Sequence, residues 1–169
     1  MTCAPFCIRQ LSRPEWHDRL VADYLRLRDT DVCRGSHWFG GRYENRYIAP
    51  DDLPAVRPLL ARARDLAAEL LGRPAGELRV GYWFNEMRPG EETGPHSHDE
   101  DDELLSGVYY LCVPPASGDL LLGEGARPLR LRPREASFVF FPPELVHAVS
   151  RNESDALRLS VGLNIGPRP

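Results

Sequence analysis

The chain has no lysine: all 21 basic residues among its 169 are arginines. Schiff-base catalysis by a lysine is therefore excluded, and the bias itself fits GC-rich coding. Cysteine is sparse and unpatterned. Cys3, Cys7, Cys33 and Cys112 show no CxxC spacing, which excludes a zinc ribbon. Cys3 and Cys7 leave open an N-terminal metal or disulfide pair, but the expectation is a set of reduced thiols. Long apolar runs are also missing. No stretch approaches the roughly 20 apolar residues of a membrane span, and residues 1–18 hold no apolar core of signal-peptide length. A cytoplasmic protein without a membrane partner is expected. No basic stripe is visible and the formal charge is −4, so nucleic acid is not expected as a partner either.

What is present is ordinary in bulk and unusual in one place. Apolar residues at 42% and charged residues at 27% match globular averages and exclude disorder or coiled coil. The length suits one domain. Asp99, Glu100, Asp101, Asp102 and Glu103 alone carry five negative charges, so the remainder of the chain would be +1 (−4 plus 5). The acidity is local.

Two amphipathic stretches occupy the first half. Residues 14–29 place Trp16, Leu20, Tyr24 and Leu27 at helical steps behind Pro14, with His17 assigned to the surface. Residues 53–71 predict a second helix, ended by Gly72 and regular only after Pro54 and Pro58. Between them lies GSHWFGGRYENRY, read as a loop or short strands. His37, Trp38, Arg42, Tyr43, Arg46 and Tyr47 could there cap a pocket or merely anchor the loop. After Pro74 the sequence breaks into short runs rich in β-branched and aromatic residues: 78–87, 105–113, 119–123, 128–132, 136–141, 146–150 and 156–165. Seven such strands imply a β-sandwich or barrel buttressed by two helices. The expected organisation is one domain over 1–169, with a helical buttress at 1–75 and a β core at 76–166.

The chemistry concentrates around Gly94-Pro95-His96-Ser97-His98-Asp99-Glu100, with His147 about fifty residues on. Imidazoles at i and i+2 of an extended segment share a side, and a third from a later strand completes a facial triad with open positions. Imidazole and carboxylate donors without thiolate favour non-haem Fe(II). Two registers are open. The set is His96, His98 and His147, or it is His98, Glu100 and His147 with a carboxylate included.

From Val80 to Gly166, about half the chain, the sequence resembles the small 2-oxoglutarate/Fe(II) oxygenases related to prolyl hydroxylases. The resemblance rests on Trp83-Phe84-Asn85, Pro89-Gly90, His96-Ser97-His98, Ser106-Gly107-Val108-Tyr109-Tyr110-Leu111 and Ser117-Gly118-Asp119-Leu120. It continues through Phe140-Phe141-Pro142, His147 and Arg158-Leu159-Ser160-Val161-Gly162-Leu163-Asn164. It implies a double-stranded β-helix, a cupin-like jelly roll with iron at its mouth. It also implies oxidative decarboxylation of 2-oxoglutarate to succinate and CO2 by O2, coupled to oxidation of an unactivated C–H bond. Arg158, eleven residues after His147, would bind the distal carboxylate of 2-oxoglutarate, a role suited to a planar, permanently charged fork. Ser160 and Tyr110 would donate hydroxyls to the same group, with Tyr109 the alternative phenol. Trp83 is expected in the core and Asn85 in the pocket. The expected substrate is a small molecule, amino-acid or peptide-like compounds included, and the protein a monomer or homodimer whose short chain leaves the mouth open.

One departure stands out. The wider superfamily has His-x-Asp or His-x-Glu where this chain aligns His96-Ser97-His98, which would give three neutral ligands. Gly90, His96, His98 and Glu103 also resemble the first cupin motif, so a three-histidine cupin oxygenase without 2-oxoglutarate is the alternative. A non-catalytic metabolite-binding barrel is the other.

Overall fold

The computed structural model describes residues 6–39, 41–98 and 102–169. Cys3 and Glu100 lie outside the described residues, so the Cys3–Cys7 pairing and the Glu100 register are not addressed by it.

The chain opens with strand β1 (Cys7–Gln10) and helix α1 (Glu15–Leu27). The buried face of α1 is His17, Leu20 and Tyr24, a three- and four-residue spacing. The surface position expected for His17 is therefore wrong. The stripe centres one residue later than Trp16, and the imidazole tolerates burial because β-strand partners satisfy both ring nitrogens. A hairpin follows, β2 (Arg34–Phe39) and β3 (Arg42–Tyr47), where the sequence left loop or strands open. A 3-10 turn at Pro54–Val56 runs into α2 (Arg57–Leu71), which buries Leu59, Ala63, Leu66 and Ala67 and ends at Gly72 with φ +63°. That left-handed position suits glycine.

The later half is β4 (Leu78–Met87), β5 (Thr93–His96), β6 (Leu105–Cys112), β7 (Leu120–Leu122), β8 (Leu129–Leu131), β9 (Ser137–Phe141), β10 (His147–Val149) and β11 (Arg158–Pro167). The strands form a seven-stranded sheet in the order β1-β9-β6-β11-β4-β3-β2 and a four-stranded sheet in the order β5-β10-β7-β8. Every pairing is antiparallel. The first 75 residues thus supply three strands of the large sheet as well as both helices.

The period of two along each strand separates the two faces of the large sheet. Leu159, Val161, Leu163 and Ile165 of β11 join Phe84, Tyr109, Phe138 and Phe140 in one core with α1 and α2. Alternate residues, Arg158, Ser160, Gly162 and Asn164, face the small sheet across a cavity of about 720 Å³. Hydrophobic burial against the helices therefore fixes which side chains look into the cavity. A one-residue slip would exchange the two sets.

Behind the sheet, His17 Nε2 lies 3.0 Å from the Leu111 carbonyl and its Nδ1 2.8 Å from the Tyr109 hydroxyl. A carbonyl only accepts, so Nε2 carries the proton and Nδ1 accepts from Tyr109. Burial holds the imidazole below its usual pKa and therefore neutral. Glu86, also buried, accepts from the Tyr24 hydroxyl at 2.8 Å and from Arg28 at 3.3 Å. No helix among the described residues is long and apolar enough to cross a membrane.

Candidate metal centre

Three imidazoles meet at the mouth of the cavity. His147 opens β10 and pairs in register with His96 at the end of β5. His98 lies just beyond β5, its backbone N–H held by the Pro143 carbonyl at 2.8 Å. One ring nitrogen from each of His96, His98 and His147 lies within 4.8 Å of the others. His96 Nδ1 is 2.9 Å from the Gly94 carbonyl and His147 Nδ1 is 3.0 Å from the Leu145 carbonyl. Both Nδ1 atoms therefore carry the proton, and both Nε2 lone pairs are left free for a cation. Burial, reinforced by neighbouring histidines, holds His98 down to about 4 and His147 down to about 3. Neutral rings are the form a metal takes.

Arg158 lies deep in the cavity, only 2% exposed. Its Nη1 donates to the carbonyls of Ser117 at 3.3 Å and Gly118 at 3.1 Å, while its buried Nε has no partner. Among the described residues no carboxylate forms an ion pair with it; Asp119, paired with Arg130, acts on it only from a distance. Burial pushes the guanidinium below its ordinary pKa, though an arginine remains charged. Tyr110 sits across β6 from Ser160 on β11, and both face the cavity. The Arg158 guanidinium carbon is 5.5 Å from the centre of the Tyr110 ring. The Tyr110 hydroxyl is buried beside that guanidinium, short of good hydrogen-bond geometry to it; burial raises the phenol's pKa to about 12 and the neighbouring Arg158 opposes the rise. Tyr109 points the other way, to His17. Packing of the Tyr109 face against α1 thus decides which of the two phenols reaches Arg158.

Trp83 corrects an expectation. It lines the cavity instead of the core, because β4 turns Phe84 to the helices and Trp83, Asn85 and Met87 to the small sheet. Its ring covers Gly162, where an added Cβ would come within 2.4 Å of it. The same ring is 5.5 Å from that of His98. Asn85 also lines the cavity and donates to the Glu44 carbonyl at 2.9 Å, tying β4 to the hairpin. Within that hairpin His37, Trp38 and Tyr47 face the cavity, whereas the arginines turn away. Arg42 donates to the Glu86 carbonyl at 2.8 Å and Arg46 to the Arg28 carbonyl at 2.9 Å. Glu103, the acid of the cupin-like pattern, is not part of the histidine cluster; it accepts from Asn164 at 3.2 Å. Asn164 and Ser106 are cavity residues to which the sequence reading gave no role. Their alternation with Leu163, Leu105 and Gly107 was the available signal.

No family model and no curated sequence matches the chain. Solved structures do. A Pseudomonas putida prolyl-4-hydroxylase superimposes with a TM-score of 0.75 at 20% identity, covering 98% of this chain and 94% of that one. The epimerase SnoN from nogalamycin biosynthesis, in complex with Fe3+, alpha ketoglutarate and nogalamycin RO, gives 0.73 at 17%, covering 98% and 82%. An oxidoreductase of the 2OG-Fe(II) oxygenase family from Burkholderia pseudomallei gives 0.68 at 17%, covering 96% and 84%. The chain has the double-stranded β-helix fold that these oxygenases share, and at such identities the likeness is one of fold.

Proposed function

We propose that this chain, folded as the 2-oxoglutarate/Fe(II) oxygenases are, is itself an Fe(II)- and 2-oxoglutarate-dependent oxygenase acting on a small-molecule or peptide-like substrate. The observation that carries the reading is Arg158: a buried guanidinium with an orphaned Nε and no carboxylate partner, in the same cavity as three converging imidazoles. Burying an unpaired charge is costly, and a dicarboxylate cosubstrate would remove that cost.

The residues present fit the metal. Two of the three imidazoles hold an Nδ1 proton on a backbone carbonyl, which orients the ring and fixes its tautomer. His96, His98 and His147 would hold Fe(II). Bound there, the iron supplies the redox chemistry by which 2-oxoglutarate and O2 become succinate and CO2 while a C–H bond of the substrate is oxidised. The chain's own work is positional. Arg158 takes the distal carboxylate in a charge-assisted pair, and the hydroxyls of Tyr110 and Ser160 donate to it. Trp83 and the hairpin residues His37 and Trp38 wall the remaining space. The structural neighbours include a prolyl-4-hydroxylase and an epimerase, so this fold accommodates more than one outcome at carbon.

The test is direct. With oxygen excluded, the Fe(II) protein should bind 2-oxoglutarate and develop a weak visible charge-transfer band. Admission of oxygen should then release succinate slowly even without substrate. Bound metal with neither the band nor 2-oxoglutarate affinity would refute the proposal in favour of a three-histidine cupin chemistry.

A further inference from the structure

The end of the cavity away from Arg158 holds two buried side-chain oxygens without a hydrogen-bond partner. Ser106 and Asn164 stand opposite one another on β6 and β11, both on the cavity wall. Asn164 Nδ2 donates to Glu103 Oε1 at 3.2 Å. A carboxylate only accepts, so this bond fixes the amide's orientation and leaves its carbonyl oxygen on the other side. That oxygen, Oδ1, is buried without a partner, and so is the Oγ of Ser106, a residue 1% exposed. Glu103 lines the same cavity, and among the described residues no arginine pairs with it. Glu44, the other carboxylate on the wall, already has a countercharge in Arg42 at 3.5 Å, although its Oε1 makes no hydrogen bond.

Buried oxygens without donors are uncommon and costly. Two of them beside an unpaired carboxylate leave a pocket that wants N–H groups and positive charge. Position ties this pocket to the histidines. Trp83, against His98, covers Gly162, two residues along β11 from Asn164. Arg158 lies four residues from Gly162 in the opposite direction. The wall is therefore bipolar, with a cation at one end, acceptors at the other and the imidazoles' neighbour Trp83 between.

We propose that Glu103, Ser106 and Asn164 form a subsite for a primary ammonium group, which makes the substrate class an amine-bearing small molecule or residue. An ammonium offers three donors and no acceptor. Glu103, Asn164 Oδ1 and Ser106 Oγ supply the three acceptors and the countercharge. Calling the amine's owner the substrate rests on the oxygenase reading, whereas the subsite itself does not.

The test uses the whole chain, labelled with nitrogen-15 and loaded with Zn(II), a diamagnetic ion suited to the imidazoles. It is titrated with butylammonium chloride and, as uncharged and anionic counterparts, butan-1-ol and sodium butyrate. Saturable shifts of the Asn164 side-chain amide and the Trp83 indole N–H are expected from butylammonium alone. Glu103→Gln, which keeps the shape and an acceptor for Asn164, should weaken that binding at least tenfold. Ser106→Ala, a second and milder change, should weaken it a few-fold. The proposal is overturned if butylammonium produces no saturable shift, if butan-1-ol binds as tightly, or if Glu103→Gln leaves the affinity unchanged. A separate titration with 2-oxoglutarate distinguishes the two readings. Ammonium binding without 2-oxoglutarate binding supports the subsite and refutes the oxygenase; the reverse refutes the subsite alone.

Discussion

Replacing Arg158 by methionine should change stability and cosubstrate affinity in opposite directions. The guanidinium is 2% exposed, makes two backbone hydrogen bonds through Nη1 and leaves Nε unpartnered. Losing two such bonds costs about 0.5–1.5 kcal/mol each, and relieving one unsatisfied buried donor returns about 1–3 kcal/mol. Removing an unpaired charge from low dielectric returns several kcal/mol more. The first two contributions roughly cancel, so the balance favours the variant by those several kcal/mol, at about 2–4 °C of melting temperature per kcal/mol in a chain of this size. The ligand term has the other sign. Deleting one partner of a buried ion pair costs about 3–5 kcal/mol, so 2-oxoglutarate affinity should fall at least 100-fold. Wild-type protein at one hundred times its dissociation constant gains about 2.7 kcal/mol from the ligand; Arg158→Met should gain almost nothing at that concentration. Thermal unfolding of the Fe(II) protein with oxygen excluded, with and without 2-oxoglutarate, reads both quantities. A variant that melts well below the wild type would refute the claim that Arg158 waits unpaired for an anion. So would one that keeps its 2-oxoglutarate-induced shift.

Other expectations follow from the same geometry. His147→Ala should abolish Zn(II) or Fe(II) binding by calorimetry. Comparing His96→Ala with Glu100→Ala for iron retention separates the two ligand registers, and loss in the former alone is expected. His17 ties stability to pH. Its folded pKa is depressed, so below about 6.5 the unfolded chain takes up a proton that the folded one refuses. Stability should be flat above that pH and fall as pH drops toward 5. His17→Gln should be less stable at pH 8 but lose less on acidification; equal slopes in denaturant titrations would contradict the buried neutral ring. Gly162→Ala places a Cβ 2.4 Å from the Trp83 ring, which should cost about 1–3 kcal/mol and shift indole fluorescence. Unchanged fluorescence would show that Trp83 does not rest on that glycine.

How far the sequence reached depended on the kind of signal. The strand at 78–87 was legible to the residue, because alternation and flanking punctuation are local. The two short strands β1 and β5 were not. Four residues such as Cys7–Gln10 acquire strand character only by pairing with β9. His17 shows the same limit within a helix. Its spacing from Leu20 and Tyr24 was visible, but a polar residue belongs on a buried face only when something across the interface bonds it. Those partners, Tyr109 and the Leu111 carbonyl, are over ninety residues away.

By itself the sequence determined the ingredients: a two-helix, mostly β chain, a His-x-His pair with a later histidine, and an Arg-x-Ser on the last strand. The strand period even separated Tyr109 from Tyr110, although not which of them faced Arg158. The tertiary structure decided what lies opposite what. Packing of β11 against two helices turned Arg158, Ser160 and Asn164 inward together, and the second sheet brought His96, His98 and His147 within 4.8 Å. Only then did Arg158 appear as a charge without a partner, and Ser106 and Asn164 as oxygens without donors. Being unpaired is a property of the space around a group, and that space is made by strands distant in sequence.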